Sequence, residues 1–279
     1  MQLALHDRLL NLDRPQIMGI VNVTPDSFSD GGEHATADSA VAHALKLLYE
    51  GATILDIGGE STRPGASCVS EAEELSRVLP VVKALAKLPE KPVISVDTSR
   101  PQIMRECVKA GAHLINDVRA LTFPGALSAA LELNVPVILM HMQGTPATMQ
   151  ERPSYTSVVD EVEAFLKARS AALTERGFKE ENILWDVGFG FGKSVTDNYA
   201  LLKALRRFTQ GPHPYVGALS RKSMLGAVTG IEKPSERVIS SVTGAILCAE
   251  RGAKILRVHD VKATAEALCV LNAMESAPC

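Results

Sequence analysis

Three times in this chain an amphipathic run ends in Gly-Ala and passes straight into a short apolar run, at Gly51-Ala52, Gly111-Ala112 and Gly252-Ala253. Glycine just beyond a helix takes up the left-handed conformation at little steric cost, so the join reads as helix, stop, strand. Its recurrence predicts a regular β/α array. Strands are expected at Ile17–Asn22, Thr53–Ile57, Pro92–Asp97, His113–Asn116, Val135–His141, Ile183–Asp186, Tyr215–Ala218 and Ile255–His259. Helices are expected at Asp38–Glu50, Glu71–Leu88, Pro101–Ala110, Pro124–Leu133, Val158–Arg176, Tyr199–Arg206, Ser235–Arg251 and Val261–Ala273, where apolar residues recur at three- and four-residue spacing, as in Leu75, Val78, Leu79 and Val82. Eight of each in about 250 residues is the arithmetic of an α/β chain folded as a (β/α)8 TIM barrel. A doubly wound open sheet shares the alternation and is the alternative. The strands look continuously apolar, as when both faces are covered. No linker or shift of composition divides residues 1–279, which read as a single domain.

Several classes of function are excluded early. At 46% hydrophobic and 22% charged the chain can bury a large core and is not disordered. Acidic residues outnumber basic ones, 32 to 29, with no basic stripe for nucleic acid. Apolar runs such as Val135 to Met140 are strand-sized, well short of the roughly 20 residues that span a bilayer, and the N-terminus carries no export signal. The five cysteines include no Cys-x-x-Cys pair, which fits reduced thiols in the cytoplasm and argues against zinc.

Nearly every expected strand ends in a polar residue: Asn22, Asp56, Asp97, Asn116, His141, Asp186, Arg257 and His259. Any one of them is as well explained by a turn or a helix cap. Together they are not, because parallel barrel strands deliver their ends to one rim, where active sites of this fold lie. Two long loops follow the first and second strands, Val23–Gly32 with Phe28 and Asp30, and Gly58–Ala66 with Glu60, Thr62, Arg63 and Pro64. Loops of that length at that rim read as mobile lids or binding loops. The segment Asp186–Ser194 ends in Gly-Lys-Ser, but a phosphate loop needs glycine where Val187 stands. Its alternating glycines instead suit close approach to a flat ligand, with Phe189 or Phe191 available to stack. Arg221, Lys222, Arg257 and His259, with the Ser223 hydroxyl beside them, gather cationic and hydrogen-bonding groups after the last two strands, the usual anion site of this fold. Arg257 lies in an apolar strand, where a charge needs a partner, and an anionic substrate group is the favoured one. Met18, Met140 and Met142 read as core or pocket wall.

The segments Met18–Gly32, Gly58–Gly65, Ser95–Thr98, Ile115–Asp117, Asp186–Lys193, Ser220–Ser223 and Arg257–Asp260 resemble, in order and across nearly the whole chain, the dihydropteroate synthase family. The resemblance implies a (β/α)8 barrel, a transferase of folate biosynthesis and sulfonamide target that condenses 6-hydroxymethyl-7,8-dihydropterin diphosphate with 4-aminobenzoate. It assigns Asp97, Asn116, Asp186 and Lys222 to the dihydropterin, with Met140 and Phe189 beside it. Asn22, Thr62, Arg257 and His259 would hold the diphosphate, with Mg²⁺ on the Asn22 amide oxygen. Phe28, Thr62, Arg63, Pro64, Phe189 and Ser223 would form the aminobenzoate site, with Asp30 and Arg63 stabilising loop closure. Asp97, Lys222 and Arg257 would be the catalytic residues. A homodimer is implied, with small-molecule substrates as the other partners. One departure is Val187, where the family often has proline, which is expected to loosen the glycine loop slightly. A pterin-binding methyltransferase shares the barrel but has no use for the diphosphate grip. A paralogue without turnover is the non-catalytic rival.

Overall fold

In the computed structural model, residues 1–24, 33–61, 69–145, 148, 149, 151 and 153–278 are described, without the side chains of residues 33–36. A short antiparallel hairpin, β1 (Gln2–Ala4) and β2 (Leu9–Asn11), precedes eight parallel strands. These are β3 (Gln16–Asn22), β4 (Ile54–Gly58), β5 (Val93–Asp97), β6 (Leu114–Asp117), β7 (Val137–Met140), β8 (Ile183–Asp186), β9 (Val216–Gly217) and β10 (Ile255–Val258). Hydrogen bonding runs from β8 through β7, β6, β5, β4 and β3 to β10 and β9. A parallel bridge between Trp185 and Tyr215, with the Trp185 N–H donating to Pro214 O at 2.9 Å, joins the two ends into a barrel. The open-sheet alternative is thereby excluded.

The helices surround it: α1 (Glu33–Tyr49), α2 (Glu71–Leu85), α3 (Pro101–Lys109), α4 (Ala126–Leu133), α5 (Val158–Thr174), α6 (Val195–Lys203), α7 (Arg206–Thr209), α8 (Ser223–Thr229), α9 (Val238–Glu250) and α10 (Val261–Glu275). Ser70 caps α2, and Ser194 with Asp197 forms a reciprocal capping box on α6. The Gly-Ala joins behave alike. Gly51, Gly111 and Gly252 have φ of +109°, +114° and +98°. The following alanine N–H reaches back to Leu47, Cys107 or Cys248 O at 2.9–3.0 Å, closing the last turn. No described helix is long and apolar enough to cross a membrane.

Alternate residues of each strand face the barrel interior. The lowest inward layer is apolar throughout: Met18, Ile54, Val93, Leu114, Ile138, Leu184, Val216 and Ile255 form one cluster with Leu3, Leu5 and Leu12 of the hairpin segment. The hairpin thus plugs the N-terminal end of the barrel. Its three-residue strands are too short for a periodicity signal, and the sequence reading did not foresee it. Two residues further along the strands the inward layer holds Asp56, Ser95, Asn116, Met140, Asp186 and Arg257. This corrects the expectation of uniformly apolar strands. The outward faces, packed on helices, are apolar but for Asp117 at the end of β6.

Candidate active site

The polar layer opens at the C-terminal ends of the strands. Arg257, from β10, reaches across the lumen. Its Nε donates to Asp56 Oδ2 at 2.6 Å and its Nη2 to Asp97 Oδ2 at 2.7 Å, while Asn116 Nδ2 donates to the same Asp56 oxygen at 3.0 Å. Four strands therefore contribute to one network. Burial works against the guanidinium charge, but Asp56 and Asp97 outweigh it and hold Arg257 firmly protonated. Burial pushes the Asp97 carboxyl up to about 7, with Arg257 pulling it back down.

Opposite stands Asp186 at the tip of β8. Its Oδ1 accepts the Gly188 N–H at 2.7 Å, and burial raises its pKa against the pull of that bond, Lys222 and Arg257. Lys222 extends along Gly190, with its ammonium 4.0 Å from the centre of the Phe191 ring. Burial lowers Lys222 to about 8, opposed by Asp186. Phe191 packs with Val118, Met140, Met142 and Met149 into an apolar wall beside these charges. Phe189 does not join it. That side chain is fully buried in the outer layer between strands and helices. Phe189 is therefore no pterin or aminobenzoate contact, and Phe191 is the ring that reaches the mouth. In strictly alternating Gly-Phe-Gly-Phe-Gly, sequence alone offers nothing to separate the two.

The glycine segment takes its shape from Lys193, which the sequence reading left without a role. Its ammonium, 3% exposed, donates to Gly188 O, Phe191 O and His141 O at 3.0, 2.9 and 3.2 Å and lies 2.9 Å from His141 Nδ1. Burial lowers Lys193 to about 7, and burial and the Lys193 charge together lower His141 to about 3, so the imidazole stays neutral. A side chain on Gly188 would put its Cβ 2.0 Å from His141 O, so the β8 exit lies backbone to backbone against the β7 exit. Val187, in place of the family's proline, is fully buried in the outer layer.

The remaining candidates fall into two groups. Asn22, at the tip of β3, is half-buried; its backbone pairs with β4, and its side chain makes no hydrogen bond among the described residues. His259 Nδ1 sits 3.0 Å from Ser220 Oγ, which also accepts the His259 N–H at 3.1 Å, so the ring is fixed just beyond β10. Arg221 is withdrawn from any anion by a bidentate pair with Asp260, at 3.0 and 2.6 Å. Ser223 opens α8, an additional helix with an exposed first residue. Phe28, Asp30, Thr62, Arg63 and Pro64 lie outside the described residues. Close to the second of these segments, Arg100 pairs with Glu74 at 3.1 Å and Glu60 at 3.6 Å, and donates to Val69 O.

A closed parallel barrel with a carboxylate, a lysine and an aromatic ring on one side of its mouth, and an arginine held by two carboxylates on the other, defines a class: enzymes that bind a flat, polar-edged heterocycle. The chain matches the family described as "Pterin binding enzyme" over residues 18–259. It is 52% identical over 278 residues to the dihydropteroate synthase of Haemophilus influenzae, covering 99% of this chain and all of the relative. Among solved structures, it superposes on the Xanthomonas albilineans dihydropteroate synthase with 4-aminobenzoic acid at a TM-score of 0.93 and 51% identity, over 99% of both chains. The same organism's enzyme in complex with 7,8-dihydropteroate gives 0.91 at 49% identity, over the full length of each. The chain belongs to the dihydropteroate synthase family, and its activity is that of a transferase in folate biosynthesis.

Proposed function

We propose that the mouth binds 6-hydroxymethyl-7,8-dihydropterin diphosphate with its ring on the Asp186–Lys222 side and its diphosphate toward Arg257 and His259, and joins it to 4-aminobenzoate by dissociative loss of diphosphate. The observation that carries this reading is the convergence of Asp97, Asn116, Asp186, Lys222 and Arg257 in one lumen. The Asp186 carboxylate accepts the pterin amino group and the neighbouring ring N–H together, and the Lys222 ammonium donates to the ring carbonyl. Asp97 and Asn116 take the remaining polar edge of the ring, which lies against Phe191 and Met140. A site whose buried polar groups match their ligand rejects analogues that lack those groups.

The one Ser–His contact at the rim among the described residues, Ser220 with His259, fixes the His259 ring toward the diphosphate, and this route needs no covalent nucleophile. The electron-rich dihydropterin delocalises positive charge onto the ring as the methylene C–O bond breaks, and Arg257 stabilises the departing anion by charge already in place. The weakly basic amine of 4-aminobenzoate then attacks the methylene carbon, and its proton passes to the released diphosphate. Ser223, with Phe28, Thr62, Arg63 and Pro64, forms the aminobenzoate site; Thr62 also contacts the diphosphate. Asp30 and Arg63 hold the closed loops, which exclude water from the cation. Asn22 brings to the mouth a hard amide oxygen with no partner among the described residues, which fits Mg²⁺, an ion that commonly takes one or two protein ligands beside phosphates and waters. When bound there, Mg²⁺ would neutralise charge on the leaving diphosphate. Exposed Ile239 on α9 and Val270 and Met274 on α10 supply apolar surface for a second copy of the chain in a homodimer. The deciding experiment is an assay of diphosphate release from the two substrates, with and without Mg²⁺. Release that requires both substrates and is stimulated by Mg²⁺ is expected; no release would overturn the reading.

A further inference from the structure

Buried carboxylates that serve folding have both oxygens occupied. Asp117 is one: its Oδ1 accepts the Ser99 hydroxyl and the Arg119 N–H, and its Oδ2 accepts the Leu121 N–H at 2.7 Å. Asp56 is equally buried and differently used. Everything it binds is on Oδ2, namely Arg257 Nε and Asn116 Nδ2. Among the described residues its Oδ1 has no hydrogen-bond partner, and neither does the hydroxyl of Ser95, its register partner on β5. A buried carboxylate oxygen left without a protein partner lowers stability, so folding alone does not account for an aspartate here. Its one strong engagement is with Arg257.

The two carboxylates on Arg257 are not equivalent. The Asp56 side chain is 0% exposed, whereas that of Asp97, one pleat nearer the mouth, is 15% exposed. A ligand entering from the mouth reaches Asp97 first. If Asp97 reads a pterin N–H, as proposed above, that donor competes with the Arg257 Nη2 hydrogen for the Asp97 carboxylate and weakens its hold on the guanidinium. The Nε edge, held from below, has no such competitor. We infer that Asp56 is the positioning residue of Arg257: it keeps the guanidinium in the mouth by its Nε edge while Asp97 passes from Arg257 to the pterin, leaving Nη2 directed at the departing diphosphate. The inference rests on the functional reading of the preceding subsection. It assigns work to a strand residue that makes no contact with the reacting atoms.

The test is a double-mutant cycle on the full chain, reading diphosphate release, with thermal unfolding followed for each variant. Asp56→Asn keeps the shape and removes the charge. It is expected to lower kcat about tenfold, the scale of one charge-assisted hydrogen bond, with KM for 4-aminobenzoate changed less than about twofold. In an Arg257→Ala background the same substitution should change kcat less than about twofold, because the group it acts through is gone. A residue needed only for folding would produce equal losses in both backgrounds, and that result would overturn the inference, as would wild-type kcat in Asp56→Asn. Arg257→Lys guards against a variant that fails to fold. It keeps the charge but has no Nε–H edge for Asp56, and is expected to lose about tenfold in kcat; near-normal turnover there would also refute the proposal. A wild-type chain that releases no diphosphate from the two substrates would instead refute the functional reading itself, and the inference with it.

Discussion

The two ends of the barrel are built by the same strands and do opposite things. At the N-terminal end eight inward side chains are apolar and Leu3, Leu5 and Leu12 close over them. Two residues further along, the same strands present Asp56, Asn116, Asp186 and Arg257. Burial shapes the electrostatics of the mouth: it raises Asp97 to about 7 against the pull of Arg257 and lowers Lys222 to about 8 against that of Asp186. The bottom has polar groups too, but they are self-contained. His6, Asp7 and His113 lie close enough to surround a metal ion. However, His113 Nδ1 accepts the Ile94 N–H at 3.1 Å, which leaves the ring proton on Nε2, the nitrogen a metal would need. Arg8 Nη2, 3.2 Å from that Nε2, adds a positive charge where a cation would sit. Clustering of ligand types is thus common to both ends, and at the mouth the cluster draws on four strands, with Arg257 bonded to Asp56 and Asp97 and Asn116 to Asp56.

The sharpest break between the ends is in mutant behaviour. Arg257→Ala is expected to lower turnover by roughly 10²–10³, the range for removing one charge-stabilising donor, as read by diphosphate release. Leu12→Ala, in the plug, should cost about 2–5 kcal/mol of stability while leaving kcat and KM of the folded fraction unchanged; denaturant unfolding beside kinetics checks both. If Leu12→Ala altered KM at full folding, the two ends would not be independent. The pH profile refines the picture. Ionised Asp97 is present above about 7 and lost below it, whereas the Lys222 ammonium is present below about 8 and lost above it. Dihydropterin affinity should therefore be highest between those values and fall on both sides, with the apparent values belonging to the coupled network; calorimetric titration across pH would show a flat line if neither group reads the ring. The smallest effect is expected from His113→Asn, about 1 kcal/mol of stability from the altered bond to Ile94 and no change in diphosphate release.

Much of this was legible in the residues. The three Gly-Ala joins announced helix, stop and strand, and each glycine has the positive φ that the reading required. The polar strand ends announced a functional rim. Other features were not legible for physical reasons. The β1–β2 hairpin has strands of three residues each, below the length at which alternation can be recognised. Asp56 was visible as a polar strand residue, but its partnership with Arg257 spans 201 positions of chain. The inward parity shared by Asp56, Asn116, Asp186 and Arg257, each two residues above an apolar one, was present in the sequence and would have singled Asp56 out. Phe189 and Phe191 are chemically identical and two residues apart; only the course of the glycine segment decides which ring is core and which is wall.

What the sequence determined by itself is local: where helices stop, which residues alternate along a strand, and which side chains carry charge. Those follow from backbone sterics and side-chain period, which act over a few residues. Which charges meet was decided by closure of the barrel, because joining β8 to the segment before β9 brings Asp186 onto the lumen that Arg257 enters from β10, and burial there acts on the titration of both.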